Sequence, residues 1–343
     1  MPEATPPTTR RRVLLALGLA ALPLGFGKAQ TLEPLNPKLT GDLYPIHDPC
    51  IIKAADAFYL FCTTPHADAP AQIPWYRSKD LLRWDRGGHV FPEMPAWALQ
   101  AVHGTQTCWA PDISFYDGQY SLYYACSTFG SNRSVIGLAT NTTLDSTDPA
   151  YRWQDRGLVL ESHPSDDFNA LDPARSVDRE GRHWLAYGSF WSGLKMLQLD
   201  PQTGKPLPGT QPHNLARRPK APDAIEAVFI IQRAGNYYLF ASFDFCCRGA
   251  DSSYYTVVGR SKDILGPYLD RTGKSMLDGG GTLVLAAAAG EPRWRGPGHI
   301  AILRDAGKDY IVYHAYDAAH DGRPTLRIAP LGWTEDNWPV AFV

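Results

Sequence analysis

Four acidic residues and a histidine, Asp48, Asp112, Asp172, Glu226 and His299, recur at intervals of 54 to 73 residues. Each opens a similar stretch: HDPCIIKAADAFYLFCTT from His47, WAPDISFYDGQYSLYYACS from Trp109, LDPARSVDREGRHWLAYGSF from Leu171, IEAVFIIQRAGNYYLFASFD from Ile225 and GPGHIAILRDAGKDYIVYHAYD from Gly296. Carboxyl groups gathered into one small site repel one another, so one keeps its proton at a pH where another is ionised. A protonated carboxyl beside an ionised one is what acid–base hydrolysis of a glycosidic bond requires. The same residues also suit a structural part, because Asp-Pro, as in Asp48-Pro49 and Asp172-Pro173, is a common turn or strand-start pair. Asp112, in WAPD, is the acid expected to serve the fold by accepting backbone N–H groups between neighbouring units.

Residues so far apart in sequence meet only if the stretches themselves are arranged around a common axis. Each stretch runs from a polar residue into an apolar strand, through a turn containing Asp, Gly or Asn, and into an aromatic-rich strand, which is a β-hairpin. The intervals leave room for about four strands per unit. Five such units predict an all-β, five-bladed β-propeller with four-stranded antiparallel blades, whose innermost strands carry the opening residues to the central channel. The segments WYRSKDLLRWDRGG from Trp75 and YTVVGRSKDILGPYLD from Tyr255 share an Arg-Ser-Lys-Asp turn and are expected in outer strands. Helical periodicity is nearly absent, and no linker composition interrupts the chain. One catalytic domain is therefore expected over residues 32–343.

Lys+Arg number 33 and Asp+Glu 35, a formal net charge of -2, so the basic excess that drives nucleic-acid binding is missing. Aromatic residues make up 12% of the chain, including 17 Tyr and 10 Trp, which suits cross-strand packing first and stacking on sugar rings second. Residues 1–29 read as a signal peptide: Arg10-Arg11-Arg12, an apolar run from Val13 to Phe26, and Gly27-Lys28-Ala29 before Gln30. Thr9, the arginines and Val13-Leu14-Leu15 resemble a twin-arginine signal. The run is shorter than the ~20 residues that span a bilayer, so a secreted or periplasmic protein, free of the membrane after signal removal, is expected.

Six cysteines in an exported chain are compatible with disulfides. Cys50 and Cys62 flank one hairpin and Cys108 and Cys126 another, so each pair could meet across strands. Cys246 and Cys247 are adjacent, which disfavours a bond between them in an ordinary strand. No zinc-like spacing is present.

The motifs HDPCI, WAPDI, NALDP with YGSFWSG, AIEA, FDFCCRG with VGRS and GPY, GGGT, GPGH and VYHAYD, in that order, resemble glycoside hydrolase family 43, and most closely its endo-1,5-α-L-arabinanase branch. The resemblance covers nearly the whole chain after residue 31. It implies an inverting hydrolase that cleaves internal α-1,5-L-arabinofuranosidic bonds of arabinan, including pectin side chains, and acts as a monomer. It implies Asp48 as general base, Glu226 as general acid, and Asp172 as the residue that raises the acid's pKa and orients it. His299 corresponds to a histidine that binds a metal, usually calcium, on the axis, with water as most of the other ligands; no organic cofactor is implied. Trp109, Phe129, Asn169, Ser189 and Phe190 are candidates for substrate contacts. Val228 stands where the family usually has proline, and Cys50 where a small residue is more common; neither change removes a carboxylate.

Two other readings share these residues. An exo-acting α-L-arabinofuranosidase or β-xylosidase would use the same scaffold with one end of the groove closed by loops. A non-catalytic glycan-binding propeller would have no use for all three carboxylates.

Overall fold

The computed structural model describes residues 32–343, so the expected signal peptide over residues 1–29 lies outside the described residues. It contains five antiparallel sheets of four strands, one of them extended by a fifth. The first strands are Cys50–Ala54, Cys108–Tyr116, Ala174–Val177, Ile225–Arg233 and Trp294–Asp305. Each packs against the first strand of the next blade, and the fifth packs against the first, so these strands close a ring around the axis. The only α-helix among the described residues is Ala96–Ala101.

Side chains of a strand alternate between its two faces, and both faces of these blades are apolar. In the second strand of blade two, Leu122, Tyr124 and Cys126 pack toward blade one, while Tyr123 and Ala125 pack toward blade three. The interior is accordingly divided into five apolar clusters, one at each blade junction. The Arg-Ser-Lys-Asp turns link the third and fourth strands as expected. Asp80 accepts from the amides of Leu82 and Arg83, and Asp263 from that of Leu265.

The segment before blade one closes the circle. Asn36 donates to the Tyr313 hydroxyl and accepts from the Ile328 amide, Ile46 N–H donates to Pro324 O, and Leu326 N–H donates to Leu43 O. Thr40–Gly41 adds a short parallel strand to the outside of blade one. Blade one is thus joined to blade five without exchange of a strand.

Candidate active site

One residue per blade, at the start of its first strand, lies in the left-handed region: Asp48, Ala110, Asp172, Ala227 and His299, with φ between 43° and 58°. Non-glycine residues seldom adopt this conformation, and here it marks β-bulges that slip the pairing register between Trp109 and Asp112, Glu226 and Phe229, and Gly298 and Ala301. A bulge turns an amide out of the ladder, and the preceding blade supplies its acceptor. Asp48 N–H donates to His314 Nδ1 (3.1 Å), Ala110 N–H to Thr63 Oγ1 (2.8 Å), Ala227 N–H to Asp172 Oδ2 (2.9 Å) and His299 N–H to Ser242 Oγ (3.0 Å). These cross-blade bonds fix the residues at the mouth of the channel relative to one another.

The ring also refines the alignment of the five stretches. Ala110, rather than Asp112, is equivalent to Asp48 and Asp172, because the bulge of blade two falls two residues before Asp112. Asp112 accepts the Arg175 amide of the next blade at 2.7 Å, the structural part expected of it, and burial pushes its carboxyl up to about 7. Glu226 flanks its bulge on the N-terminal side.

Asp48 is the most strongly held of the carboxylates. Its Oδ2 accepts from Thr63 Oγ1 (2.6 Å) and lies 2.7 Å from His47 Nδ1, and its Oδ1 lies 3.0 Å from His299 Nδ1. Burial favours the neutral acid, but His47 and then His299 outweigh it and hold the carboxyl well below the usual carboxylate range. Asp172 and Glu226 go the other way. Burial pushes Asp172 up to about 7, with His299 opposing and the charges of Glu226 and Asp48 adding to the rise. Glu226 is likewise raised by burial, against the hydrogen bond from Ser189 and the nearby Tyr254 hydroxyl.

The loop containing Ser189 is shaped for this contact. A Cβ on Gly188 would come within 2.4 Å of Gly193 O, and Phe190 and Trp191 both have positive φ. The Phe190 amide donates to Ile225 O (2.8 Å), which ties the loop beside Glu226 and lets Ser189 Oγ donate to Glu226 Oε2 at 2.7 Å. In the same way, a Cβ on Gly298 would meet the Tyr254 ring at 2.2 Å, so glycine there admits the tyrosine that faces Glu226.

The other candidates fall in different places. Phe190 packs against Phe245, their ring centroids 6.2 Å apart. Phe129 is 85% exposed in the loop after the second strand of blade two, a side chain free to receive a ligand. Trp109 is half-buried, and its indole donates to Thr107 Oγ1 (2.8 Å). Asn169 is buried and its amide is spent within the fold, accepting from Ser134 Oγ (2.6 Å) and donating to Ser131 O (3.3 Å). It braces the loops beside the site through these two bonds.

His299 is the charge partner of the acids: Asp48, and behind it Asp172 and Glu226, overcome burial and push its ring up to about 9. The acids favour positive charge here, as a proton on the ring or as a cation in its place, and a His299 that bound a cation would do so as the neutral ring. The donor set is small, however. Among the described residues, the clusters with three groups close enough to share an ion are His47–Asp48–His314 and His47–Cys246–Cys247, and neither includes His299. An ion at His299 would take most of its ligands from water.

The cysteine expectation is corrected. Cys246 and Cys247 are joined to each other, in a loop after the second strand of blade four where no ladder constrains them. Cys108 and Cys126 face each other across a strand pair with sulfurs 3.6 Å apart and are free, as are the buried Cys50 and Cys62. Sequence reasoning also passed over His47, Thr63, Tyr254, His314 and Tyr316. The local signal for His47, His314 and Tyr316 is membership of HDP and VYHAYD; Thr63 and Tyr254 lie outside both motifs.

The family model for glycosyl hydrolases family 43 matches residues 35–339. An extracellular exo-α-(1→5)-L-arabinofuranosidase of Cellvibrio japonicus is 41% identical over 305 residues, covering 86% of this chain and 85% of that protein. An extracellular endo-α-(1→5)-L-arabinanase of Bacillus subtilis is 41% identical over 295 residues, covering 86% and 87%. The structure of the Cellvibrio cellulosa α-L-arabinanase complexed with arabinohexaose superposes with a TM-score of 0.81 at 39% identity, covering 88% of this chain and 96% of that one.

Proposed function

The chain belongs to the glycosyl hydrolases family 43, and from that membership we propose an inverting endo-1,5-α-L-arabinanase in which Asp48 is the general base and Glu226 the general acid. The observation that carries the reading is the division of three clustered carboxyl groups into one held ionised and two pushed toward the neutral form.

The hydrogen bonds support a choice of acting oxygens. Asp48 Oδ2 already has two donors, His47 and Thr63, whereas Oδ1 has His299 alone. Oδ1 is the oxygen left to take a proton from the attacking water. On Glu226, Oε2 accepts from Ser189, so Oε1 carries the proton that goes to the departing sugar oxygen. Asp172, pinned by the Ala227 amide next to the acid, is raised by burial and by the Glu226 charge, so the two carboxyls favour holding one proton between them. His299 would hold a calcium or other cation, whose charge would offset that of the acids. Phe129, Phe190 and Ser189 are the side chains proposed to meet arabinose units. The names of the extracellular relatives and the signal-like residues 1–29 support secretion.

Incubation with linear 1,5-arabinan, with product size followed from the first per cent of conversion, tests the proposal. A spread of oligosaccharides with anomeric inversion by proton NMR is expected. An exo mode is the second reading, favoured by the 41% identity to the Cellvibrio japonicus exo-enzyme. It predicts a single short product throughout. Binding without any release would refute both.

A further inference from the structure

Three motifs from three blades meet at the candidate base. The Cys246–Cys247 disulfide lies in FDFCCRG after blade four's second strand, Tyr316 in VYHAYD of blade five, and His47 at the entry to blade one. Cys247 N–H donates to Tyr316 Oη (2.7 Å), Tyr316 Oη lies 2.7 Å from His47 Nε2, and His47 Nδ1 lies 2.7 Å from Asp48 Oδ2. Cys247 has φ 64°, and its side chain is joined to its neighbour's, so a covalent ring holds the amide that begins the series.

The donor and acceptor roles propagate along the series. An amide can only donate, so Tyr316 Oη accepts from Cys247, and a carboxylate can only accept, so His47 Nδ1 carries a proton. In the tautomer with Nε2 bare, Nε2 accepts the Tyr316 hydroxyl proton and each group in the series has its partner. Stacking of His47 on His314, with ring centroids 4.0 Å apart, fixes the plane of the ring. Tyr316 is itself buried, and a Cβ on Gly296 would reach its ring at 3.1 Å, so its hydroxyl has little freedom.

We propose that the Cys246–Cys247 turn, acting through Tyr316 and His47, fixes the tautomer and direction of the hydrogen bond to Asp48, making Tyr316 and His47 positioning residues for the base. The effect on catalysis rests on the assignment of Asp48 as base; the tautomer does not. Because Cys247 is exposed, the outermost part of this series is open to solvent.

The test begins with the full-length enzyme labelled with 15N-histidine. Long-range proton–nitrogen spectra should show His47 protonated at Nδ1 and bare at Nε2; protonation at Nε2 alone, or at both nitrogens, overturns the proposal. Tyr316→Phe keeps the ring and removes the hydroxyl. It should lower kcat about ten- to hundredfold, as loss of a group that orients a reacting one does, with KM within about twofold and with Nε2-protonated His47 appearing in the spectrum. An unchanged kcat and tautomer overturns it. Cys246→Ser/Cys247→Ser should lower kcat in the wild-type background and add little to Tyr316→Phe. Equal losses in both backgrounds would mean the disulfide acts by another route. Should Asp48→Asn keep its activity, the base assignment fails while the His47 spectrum still decides the tautomer.

Discussion

Nδ1 of His299 lies 3.0 Å from Oδ1 of Asp48, although 251 residues separate them and they belong to the fifth and first blades. Both have positive φ, and both backbone amides are held by a neighbouring blade. Burial would raise all three acids; His47 and then His299 outweigh it at Asp48 and hold that carboxyl low, whereas burial wins at Asp172 and Glu226 despite His299.

Glu226→Ala and Asp48→Ala should separate by leaving group. On arabinan, removing either group costs about 10²–10⁴ in kcat or more. On an aryl arabinofuranoside whose phenolate leaves unprotonated, Glu226→Ala should recover most of its rate and Asp48→Ala should not, because water still needs its base. Initial rates on both substrates check this; equal losses for Glu226→Ala on the two would remove it from the role of acid.

The pH profile of kcat/KM should be broad. The base is held below the usual carboxylate range, so the acidic limb lies low. The acid works protonated, so the alkaline limb follows the raised Glu226–Asp172 pair as it loses its proton. Once the pair holds a single proton, one carboxyl is charged beside the other; Asp172→Asn removes that charge, which makes loss of the last proton from Glu226 easier and moves the alkaline limb to lower pH. A limb that stays in place, or moves up, contradicts the part given to Asp172.

The blades were readable because each hairpin obeys local rules: strand alternation, a turn such as Asp117-Gly118 or Gly235-Asn236, and an aromatic second strand. The same grammar brought Asp48, Asp172 and His299 to equivalent places in their repeats and Glu226 to within one residue of that place. The bulges were not readable, since the amides of Ala110 and Ala227 find their acceptors, Thr63 and Asp172, in the preceding blade. Nor were the partners: Tyr316 meets His47 across 269 residues and Cys247 across 69, and no local pattern encodes such hydrogen bonds. Cys246 and Cys247 were judged by strand geometry, while the chain there is a loop.

Thiol counting checks the cysteine assignment. Burial pushes the thiols of Cys50, Cys62 and Cys108 up, away from the reactive thiolate. Native protein should therefore give no reaction with a thiol reagent over minutes, and protein unfolded without reductant should give four equivalents, one for each free cysteine. Two equivalents would mean that Cys108 and Cys126 have joined; six would mean that the Cys246–Cys247 bond is not formed.

Asp112 gives a stability prediction whose sign follows from linkage. Its carboxyl ionises near 3.8 when the chain is unfolded and holds its proton to about 7 in the fold, where burial outweighs the Arg175 amide and charge. Between those values the native state binds more protons than the unfolded state, so stability falls as pH rises through the window. In Asp112→Asn the side chain does not titrate, its Oδ1 can still accept the Arg175 amide, and this loss disappears. The melting temperature of the variant minus that of the wild type should therefore increase from pH 5 to pH 8, by about 2 °C or more for each kcal/mol recovered. Subtracting the two curves cancels every other titrating group and any constant cost of placing an amide there. A difference that is flat across this range, or that shrinks, would show that Asp112 is ionised in the folded protein, with its charge carried by Arg175 and His299.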